Sequence, residues 1–120
     1  AKGPMGPAEM RHVMSLQVFD PSLLDDRIIN ERAAIAPLQP ANLFSTMMVP
    51  NMTSRLHEIG VPIFGFWGAN DKFNPHAGML KVIENAPNAR MILLNQCGHW
   101  VQVEHRELFN RSCIDFLTKG

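Results

Sequence analysis

Two short apolar runs in the second half of the chain predict two buried strands. The run Met91–Leu94 is too short for a helix and is closed by Asn95 and Gly98. The run Ile63–Trp67 has the same character, and Gly68 after it frees the backbone to turn. Apolar runs without polar alternation are typical of strands that are buried on both faces of a parallel sheet.

Helical patterns follow both strands. One helix is predicted from about Pro75 to Asn85, and another from Glu104 to Thr118. The second helix carries five apolar residues on one side: Leu108, Phe109, Cys113, Phe116 and Leu117. A single helical turn, Arg55 to Ile59, leads into the first strand. The order strand, helix, strand, helix is that of half a doubly wound parallel sheet, so the predicted fold class is α/β.

The first 52 residues are helical in pattern, without a strand between the helices. Ala1–Pro7 is rich in glycine and proline and is predicted to be a linker. Helices are predicted from Ala8 to near Phe19, from Leu23 to Ile35 and from Ala41 to Met48, with prolines close to their ends. We therefore expect a helical segment over residues 1–52 and a strand-containing segment over residues 53–120.

Each predicted strand is followed by a polar residue with catalytic potential. Asp71 lies in the loop after the first strand, and His99 lies just after the second. Neighbouring parallel strands are about 4.8 Å apart, and open α/β sheets place their chemistry at the carboxyl ends of the strands. Taken singly, Asp71 is better explained as a turn former or helix cap, and His99 as a structural residue. Taken together, they predict an acid that fixes the tautomer of a histidine base.

Arg32 is a third candidate. Its spacing in the second helix places it in an apolar stripe: Leu24, Ile28, Arg32 and Ile35. The opposite face is predicted to be solvated: Arg27, Glu31 and Ala34. A buried guanidinium needs an anionic partner, and its fork suits a carboxylate. The alternative is that the stem of Arg32 covers the core while its head reaches water, and spacing alone favours neither.

Composition excludes several functional classes. Eleven basic and eleven acidic residues give a formal net charge of zero, without a basic stripe, so nucleic acid is not an expected partner. No stretch is predicted to enter a membrane. Cys97 and Cys113 cannot form a disulfide framework, and Cys113 is expected to act as a small hydrophobe. A metal site at Cys97-x-His99 would need two further ligands, which the spacing does not provide.

The helical segment is rich in methionine. Six of the eight methionines lie there: Met5, Met10, Met14, Met47, Met48 and Met52. Because methionine adapts to irregular shapes, Phe44, Met47 and Met48 are candidates for lining an apolar pocket, although simple packing explains them equally well. The other histidines are interpreted as surface or capping residues: His12, His57, His76 and His105.

The two strand-end loops resemble those of a known family. The run Trp67-Gly68-Ala69-Asn70-Asp71 and the Gly98-His99 pair are similar to the C-terminal part of the α/β-hydrolase fold. The narrower run Cys97-Gly98-His99-Trp100, with the later Glu104-His105 and Phe109-Asn110, resembles the meta-cleavage product hydrolases. These enzymes cleave a carbon–carbon bond in 2-hydroxy-6-oxo-dienoates. The resemblance extends from about Gln17 to Leu117.

The resemblance implies roles for four residues. His99 would be the general base and then the acid, and Asp71 would orient it. Arg32 would bind the C1 carboxylate of the dienoate, and Trp100 would pack against the dienoate. Residues 1–52 would form the helical lid, and residues 53–120 the C-terminal part of the hydrolase core. Neither a metal nor an organic cofactor is implied.

The resemblance also implies that the chain is part of a longer protein. A serine nucleophile and an oxyanion hole would lie in an N-terminal half, because the chain has no Gly-x-Ser-x-Gly elbow. None of its five serines has that context: Ser15, Ser22, Ser45, Ser54 and Ser112. The expected partners are the N-terminal half, a small dienoate and further copies of the protein, in the cytoplasm. The substrate would ketonise, and attack at C6 would release 2-hydroxypenta-2,4-dienoate and a carboxylic acid.

Three alternatives are compatible with the sequence. Another serine hydrolase of the same fold, such as an esterase or a haloperoxidase-like enzyme, would make Arg32 incidental. A dehalogenase or an epoxide hydrolase would need an aspartate at the elbow. A non-catalytic binding protein would keep the fold without the triad, but the Asp71–His99 pair argues against it.

Overall fold

The computed structural model describes residues 6–40 and 42–119, apart from the side chain of Phe44. The described residues up to 16, with those from 20 to 50, form one compact unit. Residues 17–19 and the described residues from 51 onward form a second. The predictions for residues 1–5, for Ala41 and for the Phe44 side chain lie outside the described part. The boundary after Met52 stays a prediction.

The first unit is built from short helices. They are α1 (Pro7–Gln17, whose last residue belongs to the second unit), α2 (Asp26–Ile35) and α3 (Leu43–Thr46), with 3₁₀ turns at Pro21–Leu23 and Ala36–Leu38. Its buried residues are Met10, Met14, Leu24, Ile29 and Ala33. Helix α2 begins at Asp26 because the Asp25 carboxylate accepts the backbone N–H of Ile28 at 2.8 Å.

The predicted apolar stripe of α2 is wrong. Arg32 is exposed in this chain, and so is Ile35, whereas Ile29 and Ala33 form the buried face. Leu24 precedes the helix in an extended conformation, so its four-residue spacing to Ile28 is not a helical repeat. The predicted solvated face is confirmed, since its three residues are exposed: Arg27, Glu31 and Ala34.

The third predicted helix is much shorter in the structure. A single turn, Leu43–Thr46, replaces the predicted span from Ala41 to Met48. Met47 and Met48 follow it in this chain with exposed fractions of 54% and 90%. The described residues therefore give no direct support for an enclosed pocket at these methionines.

The second unit contains the predicted strand, helix, strand, helix order. Its elements are a 3₁₀ helix (Thr53–Glu58), β1 (Ile63–Gly68), α4 (Ala77–Asn85), β2 (Ala89–Leu94), α5 (Val101–Glu104) and α6 (Arg106–Lys119). The strands are parallel, with Ile63 opposite Ala89 and Gly68 opposite Leu94. Both strands therefore end at the same edge, and the predicted α/β class is confirmed.

Helices α4 and α6 cover opposite faces of the two strands. The ring of Phe66 lies 5.2 Å from that of Phe109 on α6. The next residue, Trp67, faces the other way, and a Cβ atom placed on Gly78 of α4 would lie 2.9 Å from its ring. Because side chains alternate along a strand, β1 packs against one helix on each face. This is the layering of a doubly wound sheet.

Two details of burial differ from the prediction. Most strand residues are half-buried rather than buried, because a two-stranded sheet leaves the outer edge of each strand uncovered. On α6, Phe116 packs on Phe64 with ring centroids 5.3 Å apart, whereas Leu117 is 78% exposed. The predicted apolar side of this helix is thus narrower, and Leu117 does not belong to it.

Across the described ranges, every helix is too short or too polar to cross a lipid bilayer.

Candidate active site

The loop after β1 fixes the Asp71 side chain through its own backbone. One carboxylate oxygen, Oδ1, accepts the N–H groups of Phe73 and Asn74, each at 2.9 Å. The N–H of Asp71 donates to the Gly68 carbonyl at 3.2 Å. Asp71 is therefore a turn former, as one interpretation of the sequence held. Its second oxygen, Oδ2, takes no part in the turn.

The loop after β2 is tied to the loop after β1. Asn70 and Cys97 form a reciprocal pair, in which the Asn70 N–H donates to the Cys97 carbonyl at 2.8 Å and the Cys97 N–H donates to Asn70 Oδ1 at 3.2 Å. The Ala69 N–H continues the strand pairing to the Leu94 carbonyl at 2.8 Å. The two loops therefore hold each other through two backbone hydrogen bonds and one from backbone to the Asn70 side chain.

Two glycines allow this close approach. A Cβ atom on Gly68 would collide with the carbonyl groups of Cys97 and Gly98. A Cβ atom on Gly98 would lie 2.7 Å from the Gln17 carbonyl oxygen and 3.0 Å from Val18 Cα. Three backbone segments thus stack where β1 and β2 end, and side chains at positions 68 and 98 would separate them.

Asp71 and His99 meet across these loops. His99 Nδ1 lies 2.9 Å from Asp71 Oδ2, which confirms the hydrogen bond predicted from the strand ends. The Asp71 side chain is only 6% exposed, whereas that of His99 is 35% exposed. The buried acid is therefore covered, while the histidine ring keeps an accessible edge. Their catalytic roles stay predictions.

The Asp71 carboxyl is held in its ionised form. Burial, the largest single effect, raises its pKa, but hydrogen bonds from the Asn74 N–H, the His99 ring and the Phe73 N–H together outweigh it. The pKa of Asp71 therefore lies below its ordinary value of 3.8. An ionised Asp71 can only accept a hydrogen bond, so Nδ1 of His99 carries the proton and Nε2 is the basic atom of the neutral ring.

A cleft of about 220 Å³ adjoins the pair. It is lined by Phe66, Trp67, Gly68, Asp71, Asn74, His99 and Val101. The ring of Phe73 lies 5.7 Å from the His99 ring. The accessible edge of the histidine is thus bordered by aromatic residues, by Gly68 and Val101, and by the polar residues Asp71 and Asn74.

Glu104 is a site residue that the sequence interpretation did not assign a role. Its Oε1 atom accepts the N–H groups of Gly98 at 2.9 Å and of Phe19 at 2.6 Å, and its Oε2 atom accepts the N–H of Trp100 at 3.0 Å. The N–H of His99 itself donates to the Gln17 carbonyl at 2.7 Å. In the sequence, Glu104 is noted only as part of the Glu104-His105 pair that resembles the family.

Cys97 is a buried, neutral thiol. Its exposed fraction is 0%. Burial, and then the charges of Glu104 and Asp71, raise its pKa to about 12. Among the residues that the structure describes, no group of three or more His, Cys, Asp or Glu side chains is arranged to hold a metal ion.

The two predicted substrate-binding residues lie in different units. Trp100 follows His99 directly and is 8% exposed. Arg32 lies on α2 in the first unit and is exposed in this chain. The structure brings together Asp71 and His99, with Trp100 beside them in sequence. The binding roles of Arg32 and Trp100 stay predictions.

The remaining histidines divide into two kinds. Three are exposed, as predicted: His12, His57 and His76. His105 is instead half-buried, and its Nε2 atom lies 3.3 Å from the carbonyl oxygen of Gln96, a residue with a left-handed φ of 49°. The ring of His105 thus contributes to holding the loop after β2.

Sequence comparison finds similar proteins among known hydrolases. A 2-hydroxy-6-oxononadienedioate/2-hydroxy-6-oxononatrienedioate hydrolase of Comamonas testosteroni is 33% identical over 119 residues, covering 92% of this chain and 42% of the relative. A 2-hydroxy-6-oxo-6-phenylhexa-2,4-dienoate hydrolase of Burkholderia cepacia is 34% identical with the same coverage. The chain thus spans less than half the length of these curated relatives. No protein-family model matches it.

Structure comparison gives the same fold. A meta-cleavage product hydrolase from Pseudomonas fluorescens IP01 superimposes with a TM-score of 0.78 at 21% identity, over 95% of this chain and 46% of that chain. A serine hydrolase from Cycloclasticus zankles superimposes with a TM-score of 0.75 at 26% identity, over 93% of this chain and 44% of that chain.

Fold and sequence together define this chain as part of an α/β-hydrolase. Within that superfamily, the chain is similar in sequence to hydrolases of 2-hydroxy-6-oxo-dienoates, over less than half of their length.

Proposed function

We propose that this chain supplies the base and the orienting acid of an enzyme that hydrolyses a carbon–carbon bond in 2-hydroxy-6-oxo-dienoates. The main support for this proposal is the hydrogen bond between His99 Nδ1 and the buried carboxylate of Asp71, which lie after the ends of two parallel strands. The sequence likeness to dienoate hydrolases supports the substrate class. The nucleophile and oxyanion hole are assigned to an N-terminal half, as in the family.

His99 would move the protons in two steps. Its Nε2 atom would first take the proton of a serine hydroxyl as that oxygen attacks the C6 carbonyl of the ketonised substrate. The C5–C6 bond would then break, its electron pair would pass through C4 and C3 to the C2 carbonyl, and the His99 imidazolium would give its proton to the resulting dienolate to form 2-hydroxypenta-2,4-dienoate. Nε2 would finally deprotonate the water that hydrolyses the acyl-serine ester, which releases the carboxylic acid. Asp71 would stabilise the imidazolium in both steps.

Arg32 and Trp100 would hold the substrate. In the proposal, Arg32 binds the C1 carboxylate through its guanidinium fork. Trp100 packs against the planar dienoate. Both roles follow from the resemblance to the family. Homo-oligomerisation and a cytoplasmic location are part of the same proposal.

An esterase is the second candidate. The exposed position of Arg32 in this chain removes the spacing argument for a carboxylate site. A serine esterase of the same fold would use Asp71 and His99 in the same way without needing Arg32.

The test is cleavage of a 2-hydroxy-6-oxo-6-phenyl-dienoate by the full-length protein. Expected products are 2-hydroxypenta-2,4-dienoate and benzoate, identified by mass spectrometry. His99→Ala should lower the rate by about 100- to 10,000-fold, as the loss of a general base does. His57→Ala, at an exposed histidine, is the matched control. Hydrolysis of an uncharged ester by the wild type, without cleavage of the dienoate, would favour the esterase.

A further inference from the structure

Three consecutive backbone N–H groups around His99 each have a fixed acceptor. The N–H groups of Gly98 and Trp100 donate to the two oxygens of Glu104, at 2.9 and 3.0 Å. The N–H of His99, between them, donates to the Gln17 carbonyl at 2.7 Å. The peptide planes on both sides of the histidine are therefore clamped.

Glu104 also holds the segment that provides the Gln17 carbonyl. Its Oε1 atom accepts the N–H of Phe19 at 2.6 Å in addition to that of Gly98. Residues 17–19 belong to the second unit together with Glu104. The Glu104 carboxylate thus holds the backbone around His99 directly, through Gly98 and Trp100. It also acts indirectly, because it holds the segment whose Gln17 carbonyl accepts the His99 N–H.

The direction of the His99 side chain depends on this clamp. The ring reaches Asp71 from a loop rather than from a strand or a helix, so its Cα–Cβ direction is set by the backbone of residues 98–100. Asp71 is fixed separately by the Phe73 and Asn74 N–H groups. A rotation of the loop backbone would therefore move the ring away from an acid that cannot follow.

We propose that Glu104 is a positioning residue, whose carboxylate clamps the backbone on both sides of His99 and so keeps its Nδ1 atom aimed at Asp71. The catalytic part of this proposal rests on the function proposed above. Its structural part concerns only the His99 ring. The two parts can therefore fail separately.

The test uses Glu104→Gln in the full-length protein. A glutamine of the same shape keeps one oxygen, but its NH₂ group would face the Trp100 N–H, so one side of the clamp is lost. We expect kcat for dienoate cleavage to fall about 10- to 100-fold, since small misplacements of a catalytic group cost that much, while KM changes less than about twofold. Glu107→Gln, at an exposed acid three residues later, is the control for charge.

A substrate-independent measurement accompanies the kinetics. Long-range ¹H–¹⁵N correlation spectra of histidine-labelled protein report which ring nitrogen carries the proton, with His99 assigned by its loss in His99→Ala. We expect the Nδ1–H tautomer in the wild type and a mixture of tautomers in Glu104→Gln. Phe116→Leu, which loosens the packing on Phe64 away from the loops, is the control for stability.

Each outcome decides the proposal. A folded Glu104→Gln variant with wild-type kcat and a wild-type tautomer would overturn it. A fall in kcat matched by Phe116→Leu at equal melting temperature, with the tautomer unchanged, would reduce Glu104 to a structural role and also overturn it. If Glu104→Gln does not fold, Glu104→Asp, which keeps the charge but shortens the reach, should show the same changes. A wild type inactive on dienoates would refute the proposed function. The tautomer spectra would still test whether Glu104 keeps the His99 ring aimed at Asp71.

Discussion

His99 Nδ1 lies 2.9 Å from Asp71 Oδ2, while the other oxygen of the same carboxylate accepts two backbone N–H groups. The acid is thus immobilised by its own turn before it meets the histidine. Asp71→Asn would retain the shape, but it would present an NH₂ group or a weaker acceptor to Nδ1. This change favours the wrong tautomer, with the proton on Nε2.

We expect Asp71→Asn to lower kcat for dienoate cleavage by about 100- to 10,000-fold, as the loss of a correctly protonated base does. Steady-state kinetics on the full-length protein would measure it. Asp115→Asn is the matched control, because Asp115 is an exposed acid paired with Lys119 on α6. Equal kcat values for the wild type and Asp71→Asn would remove Asp71 from the catalytic machinery.

Acid should destabilise the wild type more than Asp71→Asn. The pKa of Asp71 is lowered in the folded state from 3.8, so the unfolded chain binds its proton more readily. Its stabilising contribution is therefore complete above about pH 4 and is lost as the pH falls through the folded-state value. Melting temperatures of both proteins between pH 6 and pH 2.5 would measure this. The difference between them should shrink with acid, and a constant difference would contradict the lowered pKa.

Cys97 should resist alkylation in the folded protein. At pH 8, a thiol whose pKa is about 12 is ionised in roughly one molecule in ten thousand. A free thiol, with a pKa of about 8.5, is ionised in about a quarter of the molecules at the same pH. Iodoacetamide should therefore modify Cys97 at least about a thousandfold more slowly than in the urea-unfolded protein. Peptide mass spectrometry over time would measure it. Similar rates in both states would mean that the thiol is neither buried nor neutral.

The close stacking of backbone segments predicts that Gly68 does not tolerate a larger residue. Gly68→Ala should destabilise the protein by about 1 to 3 kcal/mol, the usual cost of overpacking, and should lower kcat because the Cβ atom displaces the carbonyl groups of Cys97 and Gly98. Gly60→Ala is the control, since nothing lies within 4 Å of its Cβ position. That variant should be neutral or stabilised by up to about 1 kcal/mol. Urea unfolding of both variants would test the difference.

Arg32 separates a dienoate hydrolase from an esterase. If its guanidinium binds the substrate carboxylate, Arg32→Ala should cost roughly 2 to 5 kcal/mol, as truncated charge pairs do. This corresponds to a loss of about thirtyfold or more in kcat/KM on the dienoate. Hydrolysis of an uncharged ester should barely change. Arg27→Ala, on the same helix and 3.6 Å from Glu31, should affect neither substrate. Equal losses on both substrates would instead give Arg32 a structural role.

The strands, the long helices and the Asp71–His99 bond were predictable because each depends on local pattern and on strand adjacency. Apolar runs closed by Asn95 and Gly68 define the strands. Parallel pairing then brings both strand ends to one edge, and with them Asp71 and His99.

The misassigned face of α2 and the missed role of Glu104 have different causes. A helical repeat holds only inside a helix, and Leu24 lies before Asp25, the N-cap of α2. An apolar stripe that starts at Leu24 therefore assigns the wrong residues to the buried face of α2. Glu104 was missed because its partners are backbone N–H groups, which leave no residue type to recognise in the sequence. The half-burial of the strands follows from the number of strands in this chain, which no local pattern specifies.

Glu104 holds the loop around His99 through backbone N–H groups. The Glu104 bonds to positions 19 and 100 therefore do not depend on which side chains stand there, whereas the Trp100 side chain is itself buried. Proline is the exception at both positions, because it has no N–H to donate. The backbone bond at position 100 and the buried Trp100 side chain are thus two separate constraints on the same residue.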